Sequence, residues 1–167
     1  RVITVSEDSI AHVWDALTCK AIGEPFSCSV DWVTSDQIDL DNIRIIRASD
    51  DLTTMVLNSP SGQQVGLPLK GHSDWITGAS FSHDRMRVVT TSNDRTALLW
   101  DTRTGERLGE VLQGHRKSVC LARFSVDDML ILTLSDDETL RLWNAENGVQ
   151  VGSPLIGHVG SVNSARF

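Results

Sequence analysis

Two sets of side chains in this sequence have the types and spacing to do chemistry. His72, Thr90, Asp94 and Trp100 form one set, and His115, Thr133, Asp137 and Trp143 form the other, each member 43 positions after its counterpart. A hydroxyl, an imidazole and a carboxylate are the parts of a nucleophile system, in which the imidazole takes the hydroxyl proton and the carboxylate orients the imidazole. Two features argue against that use. An enzyme needs one such site, whereas here the set is repeated, and threonine at these positions is first a strand former. The same groups suit a scaffold better, because buried polar groups must be satisfied and leaving one unpaired costs about 1–3 kcal/mol. No residue is therefore assigned a catalytic role, and the chain reads as a protein that is not an enzyme.

The elements that position these residues repeat with them. Gly71-His72 returns as Gly114-His115 and Gly157-His158, and Trp100-Asp101 returns as Trp143-Asn144. Two periods before Trp100 stand Trp14-Asp15. In the copy between, Leu57-Asn58 replaces Trp-Asp and Cys28-Ser29 replaces Gly-His. Alternating apolar residues and turn residues place strands at 1–6, 10–15 and 20–24 in the first copy. The second copy has them at 32–38, 43–48, 53–58 and 64–67, the third at 76–81, 87–91, 96–101 and 107–112. The fourth has them at 119–124, 130–134, 139–144 and 150–154, and a last strand is expected at 162–167. Gly62, Gly105 and Gly148 fall in register at one hairpin, where a positive φ is required and where Cys19 takes the slot in the first copy. Gly23, Gly66, Gly109 and Gly152 align inside the last strand of each copy, the mark of a bulge or a close backbone approach.

A period near 40 residues with Gly-His and Trp-Asp signatures resembles WD40 repeats, each a four-stranded blade of a β-propeller. The fold class expected is all-β, with four blades' worth of antiparallel four-stranded sheets. Strands a to d of each blade run in chain order: 1–27 holds b to d of a partial blade, 28–70 a degenerate blade, 71–113 and 114–156 two full blades, and 157–167 a strand a. The first 27 and last 11 residues together supply most of one repeat. Three arrangements satisfy this count: part of a longer ring, a closed four-bladed ring, or an open arc that pairs with a second copy to give eight blades. The resemblance implies that His72, Thr90, Asp94, Trp100 and His115, Thr133, Asp137, Trp143 are structural tetrads, hydrogen-bonded chains that fasten each blade. Thr4, Asp8 and Trp14 keep three members of a further one. The second copy departs furthest, with Ser29, Arg47 and Leu57 beside a retained Asp51; either an Arg47–Asp51 ion pair replaces the lost network or Arg47 is a solvated arginine on a frayed blade.

Function then falls to the displayed loops, because a fold alone does not decide it. The resemblance places the partner-binding surface on the face bearing the d–a and b–c loops. There it would present Trp32, Thr34 and Asp50; Trp75, Thr77 and Asn93; Ser118, Cys120 and Asp136; Ser161, Asn163 and Glu7. Trp32 and Trp75 lie one period apart, outside the structural tryptophan slots; they either pack against the neighbouring blade or serve as interface anchors, a use that indoles favour. Asp31, Asp50, Asp74, Asp136 and Glu7 surround them, so the expected partner is a protein or peptide of basic character. The net charge of −7 and pI near 5.1 argue against nucleic acid, whose binders carry a basic stripe.

No apolar stretch is long enough for a membrane helix. The three cysteines form no C-x-x-C pair, which fits reduced thiols and an intracellular location, cytoplasmic or nuclear. The five histidines have no zinc-site spacing and no nucleotide-binding loop is found, so neither metal nor cofactor is expected. The joint at 66–72 also resembles WD arrays attached to NLR-like signalling NTPases, which implies a ligand-sensing or autoinhibitory alternative.

Overall fold

The computed structural model of the protein describes residues 2–5, 10–27, 44–48, 52–58 and 63–167. Every regular element among them is a strand. The first sheet holds β1 (Val2–Val5), β2 (Ile10–Trp14) and β3 (Phe26–Ser27). The second holds β4 (Arg44–Ala48), β5 (Thr53–Asn58) and β6 (Gln63–Lys70). Two four-stranded sheets follow: β7 (Ile76–Phe81), β8 (Arg87–Ser92), β9 (Thr96–Asp101) and β10 (Arg107–Gln113), then β11 (Val119–Phe124), β12 (Leu130–Ser135), β13 (Leu140–Asn144) and β14 (Gln150–Leu155). Each strand pairs antiparallel with its sequence neighbour, so every sheet is a meander. The architecture is that of propeller blades.

Strand composition explains the order within a sheet. Strands b and c of the third sheet, β8 and β9, read Val88-Val89-Thr90-Thr91 and Ala97-Leu98-Leu99-Trp100, and all eight residues are buried. Such near-continuous apolar or β-branched runs suit strands covered on both faces. Strand d, β10, is largely exposed and forms the outer edge. There Pro68 and Pro154, in the matching strands β6 and β14, cost little because an edge strand has one unpaired side.

The core lies between sheets. Val56 and Leu69 of the second pack with Phe81, Val88, Leu98 and Trp100 of the third. Val89, Ala97, Leu99 and Leu112 of the third pack with Ala122, Phe124, Ile131, Trp143 and Ala145 of the fourth. Each fully buried aliphatic side chain contributes about 1.5–3 kcal/mol. Polar contacts reinforce the second junction at the a–b turns. Asp128 accepts hydrogen bonds from the His83 and Asp84 backbone N–H groups, both at 2.8 Å. Arg87 donates to the carbonyls of Ala145 and Asp128 at 3.0 Å and lies over the Phe124 ring.

The aligned glycines do what their positions require. Gly66, Gly109 and Gly152 have φ of +70°, +62° and +70° at breaks in the register of strand d. Gly105 and Gly148 both have φ of +76° at the c–d hairpin, and Cys19 adopts +55° in the same slot. Space is limiting too, because the outer strand of one sheet touches the hairpin of the next. A methyl on Gly66 would sit 2.8 Å from the Arg103 carbonyl oxygen, and one on Gly105 would run into the Leu67 carbonyl.

Three expectations shift. The strand expected at 20–24 resolves into a bridge from Ala21 to Trp14 and a pairing at Phe26–Ser27, split by the Gly23 bulge. The strand expected at 139–144 begins at Leu140, because Thr139 turns to hydrogen-bond Asp137. The strand expected at 162–167 is not formed, since an extended segment needs a partner edge and no described strand pairs with it. The strand expected at 32–38 lies outside the described residues.

Gly105→Ala and Gly152→Ala separate backbone conformation from crowding. Both add the left-handed cost of about 1–2 kcal/mol, but nothing lies within 4 Å of a methyl at Gly152. Urea unfolding should show Gly105→Ala worse by a further ~1–3 kcal/mol; equal losses would remove the close approach as a constraint.

Candidate functional site

In the third sheet the Gly71-His72 turn lays His72 beside strand b, where Thr90 projects from β8. The imidazole Nε2 is 2.8 Å from Thr90 Oγ1, and Trp100 on β9 donates its indole N–H to the same oxygen at 2.8 Å. His72 Nδ1 lies 2.9 Å from Asp94 in the b–c turn. In the fourth sheet His115, Thr133 and Trp143 repeat the two 2.8 Å bonds, with His115 Nδ1 3.1 Å from Asp137. In the first sheet Trp14 donates to Thr4 at 2.8 Å, while Asp8 lies outside the described residues.

The direction of the chain follows from proton count. The threonine oxygen accepts from tryptophan, so its single proton goes to Nε2 of the histidine. Nε2 is then an acceptor, Nδ1 carries the proton, and Nδ1–H donates to the aspartate. The histidine is thereby fixed in one tautomer. Burial lowers the pKa of His115, against the opposing pull of Asp137.

The aspartates gather more partners than the sequence set contained. Thr96 donates to Asp94 through its hydroxyl at 2.6 Å and its backbone N–H at 3.0 Å, and the Ser73 N–H adds a third bond at 3.0 Å. Thr139 and the Arg116 N–H serve Asp137 in the same way. Burial would raise both carboxyls, but these bonds outweigh it and hold Asp94 and Asp137 below the usual carboxylate range. The 43-residue register of Thr96 with Thr139 was the signal available for this fifth member. Neither threonine is placed to act as a nucleophile, since each hydroxyl is buried and committed in both directions: Thr90 is 0% exposed and Thr133 1%.

On the loop face the structure brings together the candidate residues of the third and fourth sheets. Trp75 is 57% exposed, and its carbonyl accepts the Asn93 N–H at 2.9 Å. Asn93 Oδ1 accepts from Ser118 at 2.7 Å, and the Ser118 carbonyl accepts the Asp136 N–H at 3.0 Å. Cys120 donates its thiol to Asp136 at 3.0 Å, and burial followed by Asp136 pushes its pKa up to about 11, so it stays protonated. Thr77 donates to the Val119 carbonyl and joins strand a of the two sheets. Thr77, Gly78, Ala79 and Cys120 to Arg123 line a cavity of about 300 Å³ between those strands. Asp74, Asn93 and Asp136 are exposed, while Thr77, Ser118 and Cys120 are half-buried. Ser161 and Asn163 are exposed, outside any strand. Trp32, Thr34, Asp50 and Glu7 lie outside the described residues, as does the Arg47–Asp51 pair. Among the described residues no group of three His, Cys, Asp or Glu side chains could hold a metal ion.

Residues 62–101 and 106–144 match the WD40 family model, the WD domain, G-beta repeat. The chain belongs to the WD40 repeat family. No curated protein matches it. The two matched WD40 segments each run from strand d of one sheet through strands a, b and c of the next, β6 to β9 and β10 to β13, and hold both complete hydrogen-bond chains. WD40 repeats generally serve as protein-interaction scaffolds, typically bind proteins or peptides, and generally lack enzymatic activity.

The pH dependence of this WD40 chain follows from the shifts. His115, Asp94 and Asp137 all have folded pKa values below their unfolded ones, so each contributes stability above its unfolded pKa that is lost as pH falls through the folded value. Urea midpoints should therefore fall from about pH 6.5 downward, and more steeply below about pH 4. Asp137→Asn should cost about 1–3 kcal/mol at neutral pH and flatten the acid limb. A midpoint that rises between pH 7 and 5, or an unchanged limb in Asp137→Asn, would contradict the assignment.

Proposed function

We propose that this chain is a non-catalytic interaction scaffold whose loop face receives a basic peptide against Trp75. The observation that carries the reading is an indole 57% exposed to solvent while its neighbours on the same face are carboxylates. Asp74 precedes it, and Asp136 lies across the Asn93–Ser118 hydrogen bond, at the far end of one continuous polar row. An indole face attracts cations, a contact that contributes roughly 0.5–2 kcal/mol. The carboxylates add steering that salt weakens over a Debye length of about 8 Å in physiological buffer.

Polarity along the face gives the peptide a direction. Arg116 and Lys117 are exposed at the start of the fourth sheet and interrupt the acidic rim there. A basic peptide would keep clear of them and lie over Trp75 and Asp136. Trp32, one period before Trp75, is proposed as a second anchor on the adjoining blade. The interior polar chains are committed to one another, which leaves recognition to the loops.

A panel of immobilised peptides graded from acidic to basic tests this. Basic members should bind, lose affinity with added salt, and bind about tenfold more weakly to Trp75→Ala, the equivalent of about 1.4 kcal/mol. Capture that ignores peptide charge, or unchanged binding by a folded Trp75→Ala variant, would sink the reading.

A further inference from the structure

The end of the sheets opposite Trp75 carries an apolar row that neither the core nor the hydrogen-bond chains use. Strand a runs from the Trp75 loop down to the a–b turn, so the a–b turns and the c–d hairpins share this other end. In the a–b turns Met86 is 52% exposed and Met129 57%. They stand 43 positions apart, and Ile43 holds the same register in the second copy, outside the described residues. Exposed apolar residues scattered singly are ordinary, but these fill one slot of the repeat in three successive copies.

The turn pins each backbone while its side chain stays in solvent. The Met86 N–H donates to Asp84 at 2.9 Å, and the Met86 carbonyl accepts the Thr102 N–H at 3.0 Å. Met129 repeats both bonds, to Asp127 at 3.1 Å and from the Ala145 N–H at 2.9 Å. The two turns are also fixed to each other, because Asp128 of one accepts the His83 and Asp84 amides of the other. A neighbouring sheet does not cover this slot: Met86 has the fourth sheet packed beside it and is nearly as open as Met129.

Negative charge runs beside the row. Asp84 and Asp127 precede the methionines by two positions, as Asp41 precedes Ile43, and Asp84 and Asp127 are exposed. The c–d hairpins add Glu106 and Glu146, also exposed. At this end of the two four-stranded sheets the exposed arginines, Arg85 and Arg103, belong to the third, so the acidic balance is strongest over the fourth.

Spacing selects the kind of partner. Packed sheets stand about 10 Å apart, which sets the distance between successive members of the row. In an α-helix the i and i+7 side chains share one stripe and lie about 10 Å apart. An extended strand covers the same distance in about three residues, an odd number, so its successive contacts would point to opposite faces.

We infer that this end of the sheets docks the apolar stripe of an amphipathic α-helix from a partner protein, with lysine or arginine flanking the stripe. Methionine suits the contact, since its unbranched, polarizable side chain conforms to apolar surfaces of different shape, and helices bound in this way present anchors at i, i+3 or i+4, and i+7. The carboxylates orient the helix, with its more basic end over the fourth sheet. This surface is separate from the one around Trp75 and does not depend on what binds there.

Fluorescence anisotropy of synthetic peptides, each of about five helical turns, against the 167-residue chain tests the inference. One peptide carries a leucine stripe flanked by lysine, a second the same stripe flanked by glutamate, and a third the lysine–leucine composition in an order without helical period. The first should bind, and should bind roughly tenfold more weakly to a variant combining Met86→Gln with Met129→Gln. Both methionines are exposed, so that variant should keep the wild-type urea midpoint. Glu146→Lys, at an exposed hairpin position, should weaken binding several-fold at low salt, while Trp75→Ala should leave it unchanged. Equal binding of the glutamate or aperiodic peptide, unchanged affinity in the methionine and Glu146 variants, or loss of binding with Trp75→Ala would overturn the inference. So would a light-scattering mass that halves on the double methionine substitution, which would make the row a contact between two copies.

Discussion

A threonine hydroxyl that must accept one proton and give another is the constraint on which the sheets depend. Thr90 and Thr133 each stand between an indole that can only donate and an imidazole that also reaches a carboxylate. With one proton on the oxygen, only one arrangement satisfies all four groups. It fixes the histidine tautomer, joins strand b to strand c, and ties the b–c turn to the turn that begins the repeat. The chain is buried, where an unpaired member would be most costly. A histidine already donating and accepting has no role left as a general base.

Around that fixed interior, one interface recurs. The same kinds of side chain meet at the same register between the second and third sheets and between the third and fourth, so each junction is built by neighbours and not by distant parts of the chain. Apolar packing supplies the bulk of the adhesion. The a–b turns add the Arg87 and Asp128 contacts at one end, and the outer strands add backbone contact at the other. The loops on the recognition face are left with hydrogen bonds among themselves, from Trp75 through Asn93 and Ser118 to Asp136, which order the face while keeping the indole in solvent.

Much of this was legible in the sequence because it is periodic. The strands of the third and fourth repeats, the hairpin glycines and the strand-d bulges follow from 43-residue spacing and alternation. Cys19 in a glycine slot was readable as well, and its φ of +55° shows that the slot sets the conformation, whatever residue fills it. Contacts between repeats were not readable. Asp128 holding the His83 and Asp84 amides, or Arg87 reaching Ala145, joins positions more than 40 residues apart with no internal sequence signal. Thr96 and Thr139 were visible as repeats but passed for ordinary strand residues, since a β-branched residue at the start of a strand needs no further explanation. The strand expected at 162–167 failed for a related reason: alternation shows that a segment can pair but does not supply the partner.

The c–d hairpin of the fourth sheet has one last consequence, for the chemical ageing of the chain. Asn147-Gly148 is the dipeptide most prone to succinimide formation, a reaction in which the glycine nitrogen must swing onto the asparagine carboxamide carbon. Here that nitrogen is held, donating to the Asn144 carbonyl at 2.9 Å, while the Asn147 side chain accepts the Val149 N–H at 3.0 Å. The attacking atom and the carbon it would attack are thus engaged separately. The turn that suits glycine for its backbone angle also keeps the neighbouring asparagine from deamidating while the sheet stays folded.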